Sequence, residues 1–362
     1  MKQFWTEYLA DPTAGGALQL VPLEEKEDEV ESGYLFHPSG TWYPVVNGIP
    51  VFVPNAIELY PDFFSRFKDR LPAFTGDPKQ VRNFRKRHGR IQESFSYEWE
   101  RYHRFLLTYD SRYVFDPDLK PEDFAGRFIL DAGCGYGRHM KVIADIPDTM
   151  VVGIDLSMAV HRAREILREH KNVLIVQGDL HHPPLKPGVF DWVYSWGVLH
   201  HTPDTRRAFE SLVKYCKVGG TISIKVYQNW FTPAHVVQQL IRRVTCRLPR
   251  GFLYFLCYGA VPVNSFYQLI GRHIPGLREL IRFFIKPNPD WRICHTDTFD
   301  WWHPYYNHYH KHEEVIRWFR EIGISDLRTY KPNNVVRGTV AASSASLATE
   351  HLASGRLGSK WL

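Results

Sequence analysis

Phe128-Ile-Leu-Asp-Ala-Gly-Cys-Gly-Tyr-Gly-Arg138 is the stretch that decides the fold. It opens with Phe128, Ile129 and Leu130, as a strand buried on both faces would. Asp131 follows, and then glycines at alternate positions, Gly133, Gly135 and Gly137. That spacing lets the backbone turn sharply and come close to a ligand where a helix begins. A glycine-rich turn alone is a weak signal, so its surroundings matter.

About one βα unit later comes Val151-Val-Gly-Ile-Asp155-Leu-Ser157, a second apolar strand that ends in a carboxylate. An acid there is where nucleotide-binding α/β folds grip a ribose diol. A third strand, Val173–Gln177, runs into Gly178-Asp179-Leu180. A fourth, Phe190–Ser195, leads into Trp196-Gly-Val-Leu-His-His-Thr-Pro-Asp204, and after a helix comes Lys217-Val-Gly-Gly-Thr-Ile-Ser-Ile-Lys225. Strands alternating with helices predict a parallel sheet with right-handed crossovers.

Taken in order over residues 128–226, these blocks resemble a class I S-adenosylmethionine-dependent methyltransferase of the type 11 group. That group reads LDxGCGxG, GxDxS, GD, FDxVxSxxVLHHxxD and KxGG. Nicotinamide and flavin enzymes favour G-x-G-x-x-G and lack the last two blocks. The expected fold is therefore α/β: a seven-stranded, mostly parallel Rossmann-like sheet with helices on both faces, a small N-terminal β module and a helical cap insertion. The resemblance implies S-adenosyl-L-methionine as cofactor and S-adenosyl-L-homocysteine as product. It gives Asp131, Gly133, Gly135 and Gly137 to the methionine end, Asp155 to the ribose hydroxyls and Leu156 to the adenine face. Asp179 and Leu180 go to the adenine edge, and Ser195 and Trp196 to the methionine part. His181 and His182 are expected to close over adenine.

Composition bounds the rest. A chain of 362 residues, 44% hydrophobic, exceeds one minimal domain and can bury a large core. The five cysteines (134, 216, 246, 257 and 294) contain no C-x-x-C, which argues against a disulfide framework and for a reducing, cytoplasmic setting. The start does not read as a signal peptide, and no apolar run reaches the roughly 20 residues of a membrane span.

Residues 1–54 read as a separate β module. Its close, Tyr43-Pro-Val-Val-Asn-Gly-Ile-Pro-Val-Phe-Val-Pro54, resembles the end of small zinc-ribbon domains that accompany methyltransferases. Where such domains place paired cysteines, this chain has Asp11, Ala14, His37 and Ser39. Thiolates hold structural zinc, so no metal is expected. Residues 55–110 are a helical connector and cofactor-site lid. Lys79 to Arg90 carries six Lys/Arg and no acid, a solvated face or a phosphate contact. Ser94-Phe-Ser-Tyr-Glu-Trp99 resembles a segment that closes the cofactor site, with Tyr97 and Trp99 as candidate lining.

Residues 111–227 form the cofactor domain and 228–312 a helical cap and substrate lid. Gln228 to Lys286 holds eight Lys/Arg against one acid, a surplus larger than the net +6 of the whole chain. Such a stretch either packs its apolar face on the core or meets a membrane interface through 240–286. Residues 313–342 supply the last helix and strands, with strand seven antiparallel between five and six. Residues 343–362 are Ala/Ser/Gly-rich and expected to be a mobile tail.

For the acceptor, His201 and then His200 are the candidate general bases, because imidazole suits neutral pH. Asp300, His303, Tyr305 and Tyr306, with Tyr97, are the candidate substrate pocket. His303, His308, His310 and His312 lack a clearly placed partner carboxylate, so no metal is expected there either. The reading is methyl transfer to oxygen on a small-molecule or lipid-linked acceptor such as a sugar or natural-product scaffold. An RNA acceptor is the alternative, disfavoured because Ser195-Trp-Gly-Val replaces the N-P-P-Y-type clamp for a planar nitrogen. A non-catalytic cofactor-fold subunit is the third. The oligomeric state is left open.

Overall fold

The computed structural model describes residues 1–73, 77–106, 119–229, 233–281 and 283–353. Seven strands form the central sheet: β5 (Phe128–Ala132), β6 (Met150–Asp155), β7 (Val173–Gln177), β8 (Phe190–Trp196), β9 (Cys216–Lys225), β10 (Ser325–Tyr330) and β11 (Val335–Thr339). Their order is β10-β11-β9-β8-β5-β6-β7. β5 to β9 run parallel, and β11 is antiparallel to both of its neighbours, β9 and β10. The expected α/β architecture is the one observed. β5 is buried because both faces are covered: Ile129, Leu130 and Ala132 are fully enclosed. The chain order reverses between β5 and β8, which opens a crevice at the carboxyl ends of these strands.

The N-terminal region forms a second, antiparallel sheet of β1 (Gln19–Lys26), β2 (Glu29–Phe36), β3 (Trp42–Val46) and β4 (Ile49–Pro50). It is not a separate unit, contrary to the boundary expected at residue 54. Trp5, Leu9, Leu35 and Val45 instead share one core with Leu130, Val152 and Ile154 of the large sheet. The Phe52 amide donates to the Gln177 carbonyl at 2.8 Å, tying the module to the edge strand β7.

The connector is helical as expected. Its longest element, Arg90–Leu106, lies over the crevice. Gln92 Nε2 donates to the Leu156 carbonyl and Ser96 Oγ accepts the Met158 amide, so this helix is bolted to the turn after β6. Within the basic run, Arg85 pairs with Glu58, and Arg90 lies over the Tyr305 ring. The cap contains the helices Pro233–Thr245, Arg250–Leu256, Ala260–Leu269, Leu277–Ile281 and Trp291–Trp302. No helix among the described residues is long and apolar enough to cross a membrane.

The tail expected at 343–362 is corrected over its first half. Ser344–Ala353 is a helix packed against the Thr205–Val213 helix, with Ser344 and Ala348 buried. Small alanines and serines let the two helices approach closely. The remainder of that tail, residues 354–362, lies outside the described residues, as do 107–118.

Candidate active site

The glycine loop shapes the site first. Gly133, Gly135 and Gly137 have φ of 97°, 52° and 84°, in the left-handed region that L side chains rarely adopt. Space excludes side chains as well: a Cβ on Gly133 would lie 2.4 Å from the Val198 methyls. Gly137 starts the Arg138–Ala144 helix, so the loop turns straight from β5 into a helix N-terminus. The Gly135 amide donates to Asp155 Oδ2 at 2.9 Å, and Asp155 Oδ1 accepts from the Ser157 amide and hydroxyl. Ser157 therefore braces Asp155, while its Oγ also accepts the Ala159 amide at 3.3 Å.

A cavity of about 730 Å³ opens at these strand ends. Gly133, Gly135 and Asp155 line it together with Phe95, Trp99, Trp196, Tyr227, His201 and Asp300, and Trp99 lies against Gly135. Trp196 is held by its indole N–H, which donates to Ser223 Oγ at 2.9 Å. Asp131 sits just before the loop, 2% exposed, and its Oδ2 has no partner. Burial raises its pKa to about 7, Asp155 adds to the rise and Tyr194 opposes it. Asp131 is not among the residues lining the cavity, and only its Oδ2 is left without a partner for a ligand ammonium.

On the acceptor side His201 is fixed. Its Nδ1 lies 2.9 Å from the Tyr306 carbonyl. A carbonyl only accepts, so Nδ1 carries the proton and Nε2 keeps its lone pair. The short turn Leu199–His201 is itself pinned, since the His308 amide donates to the His200 carbonyl at 2.9 Å. Burial lowers the His201 pKa to about 4, against an upward pull from Asp300. Asp300 in turn accepts from the Tyr227 hydroxyl at 2.8 Å.

Several sequence expectations need correction. His200 does not face the cavity. It is 1% exposed, stacks on Tyr227 with ring centroids 3.8 Å apart, and neither ring nitrogen has a partner. Tyr97 points away from the cavity, because the Arg90–Leu106 helix turns Phe95 and Trp99 inward. Tyr97 packs on Tyr254 and Phe299 under the Arg101 guanidinium. Tyr305 is 39% exposed, and Tyr306 contributes its backbone carbonyl. Ser195 Oγ donates to the Ala132 carbonyl, tying β8 to β5.

The adenine-side residues lie off this cavity. Leu180 is buried and Leu156 offers its carbonyl to Gln92 and Gln177. Asp179 accepts from the His181 amide at 3.0 Å and lies 3.1 Å from His181 Nδ1 and 3.5 Å from His88 Nε2. Burial would raise its pKa, but the hydrogen bonds and charge of these histidines hold it well below the usual carboxylate range. His88 was not foreseen; its only signal is its place inside the basic run.

The lid histidines diverge. His308 Nε2 lies 3.1 Å from the Thr202 carbonyl, His310 Nδ1 3.3 Å from Glu314 and His312 Nδ1 2.9 Å from Asn334. His303 Nε2 instead lies 2.8 Å from Glu98 Oε2, a partner not expected from the sequence although Glu98 sits in the Ser94–Trp99 segment. Burial pushes Glu98 up and His303 well down, so this is a neutral hydrogen bond between an acid and an imidazole. Glu98, Asp300 and His303 converge to within 4.8 Å, as do His88, Asp179 and His181. Each group could hold a proton or a cation.

Residues 130–224 match the family described as a methyltransferase domain. With the sheet order and the glycine loop, this match supports a class I S-adenosylmethionine-dependent methyltransferase domain over that segment, about a quarter of the chain. Among curated relatives, phosphoethanolamine N-methyltransferase 2 of Caenorhabditis elegans is 32% identical over 142 residues, covering 36% of this chain and 31% of that protein. The tRNA U34 carboxymethyltransferase of Haemophilus influenzae is 28% identical over 221 residues, covering 58% of this chain and 64% of that protein. A solved S-adenosylmethionine-dependent methyltransferase from Mesorhizobium loti is 24% identical with a TM-score of 0.30, covering 35% of this chain and 58% of that one. The chain thus spans less than two thirds of each of these relatives.

Proposed function

We propose that this chain transfers a methyl group from S-adenosylmethionine to oxygen on a small-molecule or lipid-linked acceptor. The observation that carries this reading is His201: its Nδ1 is committed to the Tyr306 carbonyl, and its ring lines the same cavity as Gly133, Gly135 and Asp155. The cofactor supplies an electrophilic methyl on a sulfonium. Asp131 would meet its ammonium, Asp155 its ribose hydroxyls and the glycine loop its methionine end.

The protein's share of the reaction is then positioning and proton handling. Phe95, Trp99 and Tyr227 would exclude water and orient the acceptor toward the cofactor's methyl. His201 Nε2 would take the acceptor's hydroxyl proton, while the bound cofactor would supply the methyl and retain its sulfur as a neutral thioether. Asp300 steadies the imidazolium. Tyr227 orients Asp300 through its hydrogen bond.

The test is incubation with methyl-labelled adenosylmethionine and an extract of the source cells, followed by partition of the label. Label on a hydroxyl of an organic-phase or polar small molecule supports the reading. Label on nitrogen or carbon overturns the oxygen acceptor. An RNA acceptor is the second reading, favoured by the likeness to the tRNA carboxymethyltransferases and by the basic run at 79–90. It predicts label in nucleic acid and affinity that falls steeply with salt.

A further inference from the structure

Of the twenty large apolar side chains left exposed among the described residues, fourteen lie between residues 236 and 284. Exposed apolar residues scattered singly need no explanation, but a concentration of this kind does. Here they fall at helical spacing on successive cap helices. Val236, Leu240 and Val244 form an i, i+4, i+8 stripe on Pro233–Thr245, each more than half exposed. Phe252 and Phe255 do the same on Arg250–Leu256, and Val263, Phe266 and Leu269 on Ala260–Leu269.

The inner faces are built the other way round. The buried positions of the Ala260–Leu269 helix are Ala260 and Asn264, while Phe266 and Leu269 face out at 48% and 74% exposure. On Pro233–Thr245 the inward residue is Arg242, whose guanidinium donates to the Trp301 and Pro304 carbonyls. A separate set of apolar residues closes the inner side, where Leu253 is buried with Ile241, Leu248 and Tyr254 against Phe299 and Trp302 of the lid, so the exposed stripes are surplus to that packing. Packing on the core, one of the two uses expected for this stretch, does not account for them.

Charge says what lies outside. Arg243, Arg247 and Arg272 are exposed beside the stripes, and residues 228–286 contain one acid against eight bases. Tyr258, whose ring lies beside that of Phe255, and Trp291 add amphipathic rings that are 40% and 47% exposed. Apolar stripes flanked by cations and interfacial aromatics suit a lipid surface bearing negative headgroups. The lid helix Trp291–Trp302, to which Arg242 fastens this face, carries Asp300 into the cavity.

We infer that the 236–284 face of the cap docks in the plane of an anionic membrane, so that the acceptor reaches the cavity from the lipid side. The docking itself does not depend on the methyl-transfer reading.

The full chain would be sedimented with vesicles of phosphatidylcholine alone and of phosphatidylcholine mixed with phosphatidylglycerol, at low and high salt. Adenosylmethionine binding, followed in parallel, reports folding. The expected result is binding to the mixed vesicles that weakens with salt. Phe255→Asp with Leu269→Asp, and separately Arg243→Glu with Arg247→Glu, should each weaken it at least ten-fold with adenosylmethionine binding unchanged. Both pairs are exposed, so folding should survive. Folded protein that ignores mixed vesicles overturns the proposal. So does a stable dimer that Phe255→Asp with Leu269→Asp converts to monomer, because a second copy would then cover the face. A monomer that binds neither vesicle type overturns it equally and leaves a soluble partner as the occupant.

Discussion

His201 Nδ1 donates to the Tyr306 carbonyl at 2.9 Å across 105 residues of sequence. The bond joins the turn after β8 to the lid and fixes which imidazole nitrogen can take a proton. If Nε2 is the base, His201→Asn should lower kcat by roughly 10²- to 10⁴-fold and leave cofactor affinity unchanged. The acid limb of the rate profile should fall near pH 4, where His201 protonates, instead of near 6.5. Stability has the matching sign. The folded pKa is depressed, so the contribution is whole above the unfolded value and is lost as pH falls from about 6.5 toward 4. His201→Asn should flatten that part of the melting curve against pH. Unchanged kcat would remove His201 from the chemistry.

Asp131 makes cofactor binding sensitive to pH. Its carboxyl is held at about 7 with Oδ2 unpartnered. A ligand ammonium favours the ionised form, so affinity should rise as pH increases through 7 and binding should release a proton. Calorimetry in buffers of different ionisation enthalpy reads this directly. Asp131→Asn should abolish the pH dependence and weaken binding at pH 8. It should also raise the melting temperature of the ligand-free protein there. A raised folded pKa gives stability that is whole below 3.8 and lost as pH rises through 7, and the amide is never charged. Affinity independent of pH in the wild type would place the ammonium elsewhere.

Asp155 has two tasks that one substitution can separate. It receives the Gly135 amide and the Ser157 amide and hydroxyl, and it lines the cavity. Asp155→Ala should weaken adenosylmethionine binding at least ten-fold by removing charge-assisted hydrogen bonds to the ribose. Asp155→Asn, whose amide oxygen can still accept from Ser157 or Gly135, should keep more of the stability yet lose most of the affinity. Equal affinity in all three proteins would displace the ribose from this carboxylate.

The parts legible in the sequence are those set by backbone geometry. Gly133, Gly135 and Gly137 could be read because alternate left-handed positions leave few residue types to choose from. The sheet could be read because β5 to β9 are apolar runs of strand length. Glu98, His88 and Tyr227 were not legible as site residues, since each arrives from a distant segment and shows no periodic or motif signal of its own. His200 and Tyr97 were misplaced for a related reason. The rings of His200 and His201 lie side by side, with centroids 4.2 Å apart, yet only His201 lines the cavity, and the helical rotation between Tyr97 and Trp99 sends only the latter there. Nor could sequence tell whether the apolar cap residues pack inward, because a helix stripe has the same spacing in either direction.

The N-terminal module offers the last test, at the turns where the expected likeness to zinc ribbons would put metal ligands. Asp11 Oδ1 accepts the Thr13 and Ala14 amides at 2.8 and 2.7 Å, and Oδ2 accepts the Tyr43 hydroxyl at 2.9 Å. His37 Nδ1 lies 2.8 Å from Ser39 Oγ, which lies 2.6 Å from Thr41 Oγ1. A chain of hydrogen bonds thus joins the two turns that thiolates would otherwise clamp. Burial works to raise the Asp11 pKa, but these amides and Tyr43 outweigh it and lower the value. The stability it supplies is therefore present above about pH 3.8 and lost as pH falls further. Asp11→Ala should cost about 1–3 kcal/mol at neutral pH, because two amides and the Tyr43 hydroxyl lose their acceptor. A chelator should leave the melting temperature of the wild type unchanged. One zinc per chain, with a melting temperature that drops on chelation, would mean that His37 and Asp11 are ligands and that the hydrogen-bond chain is not what holds the turns together.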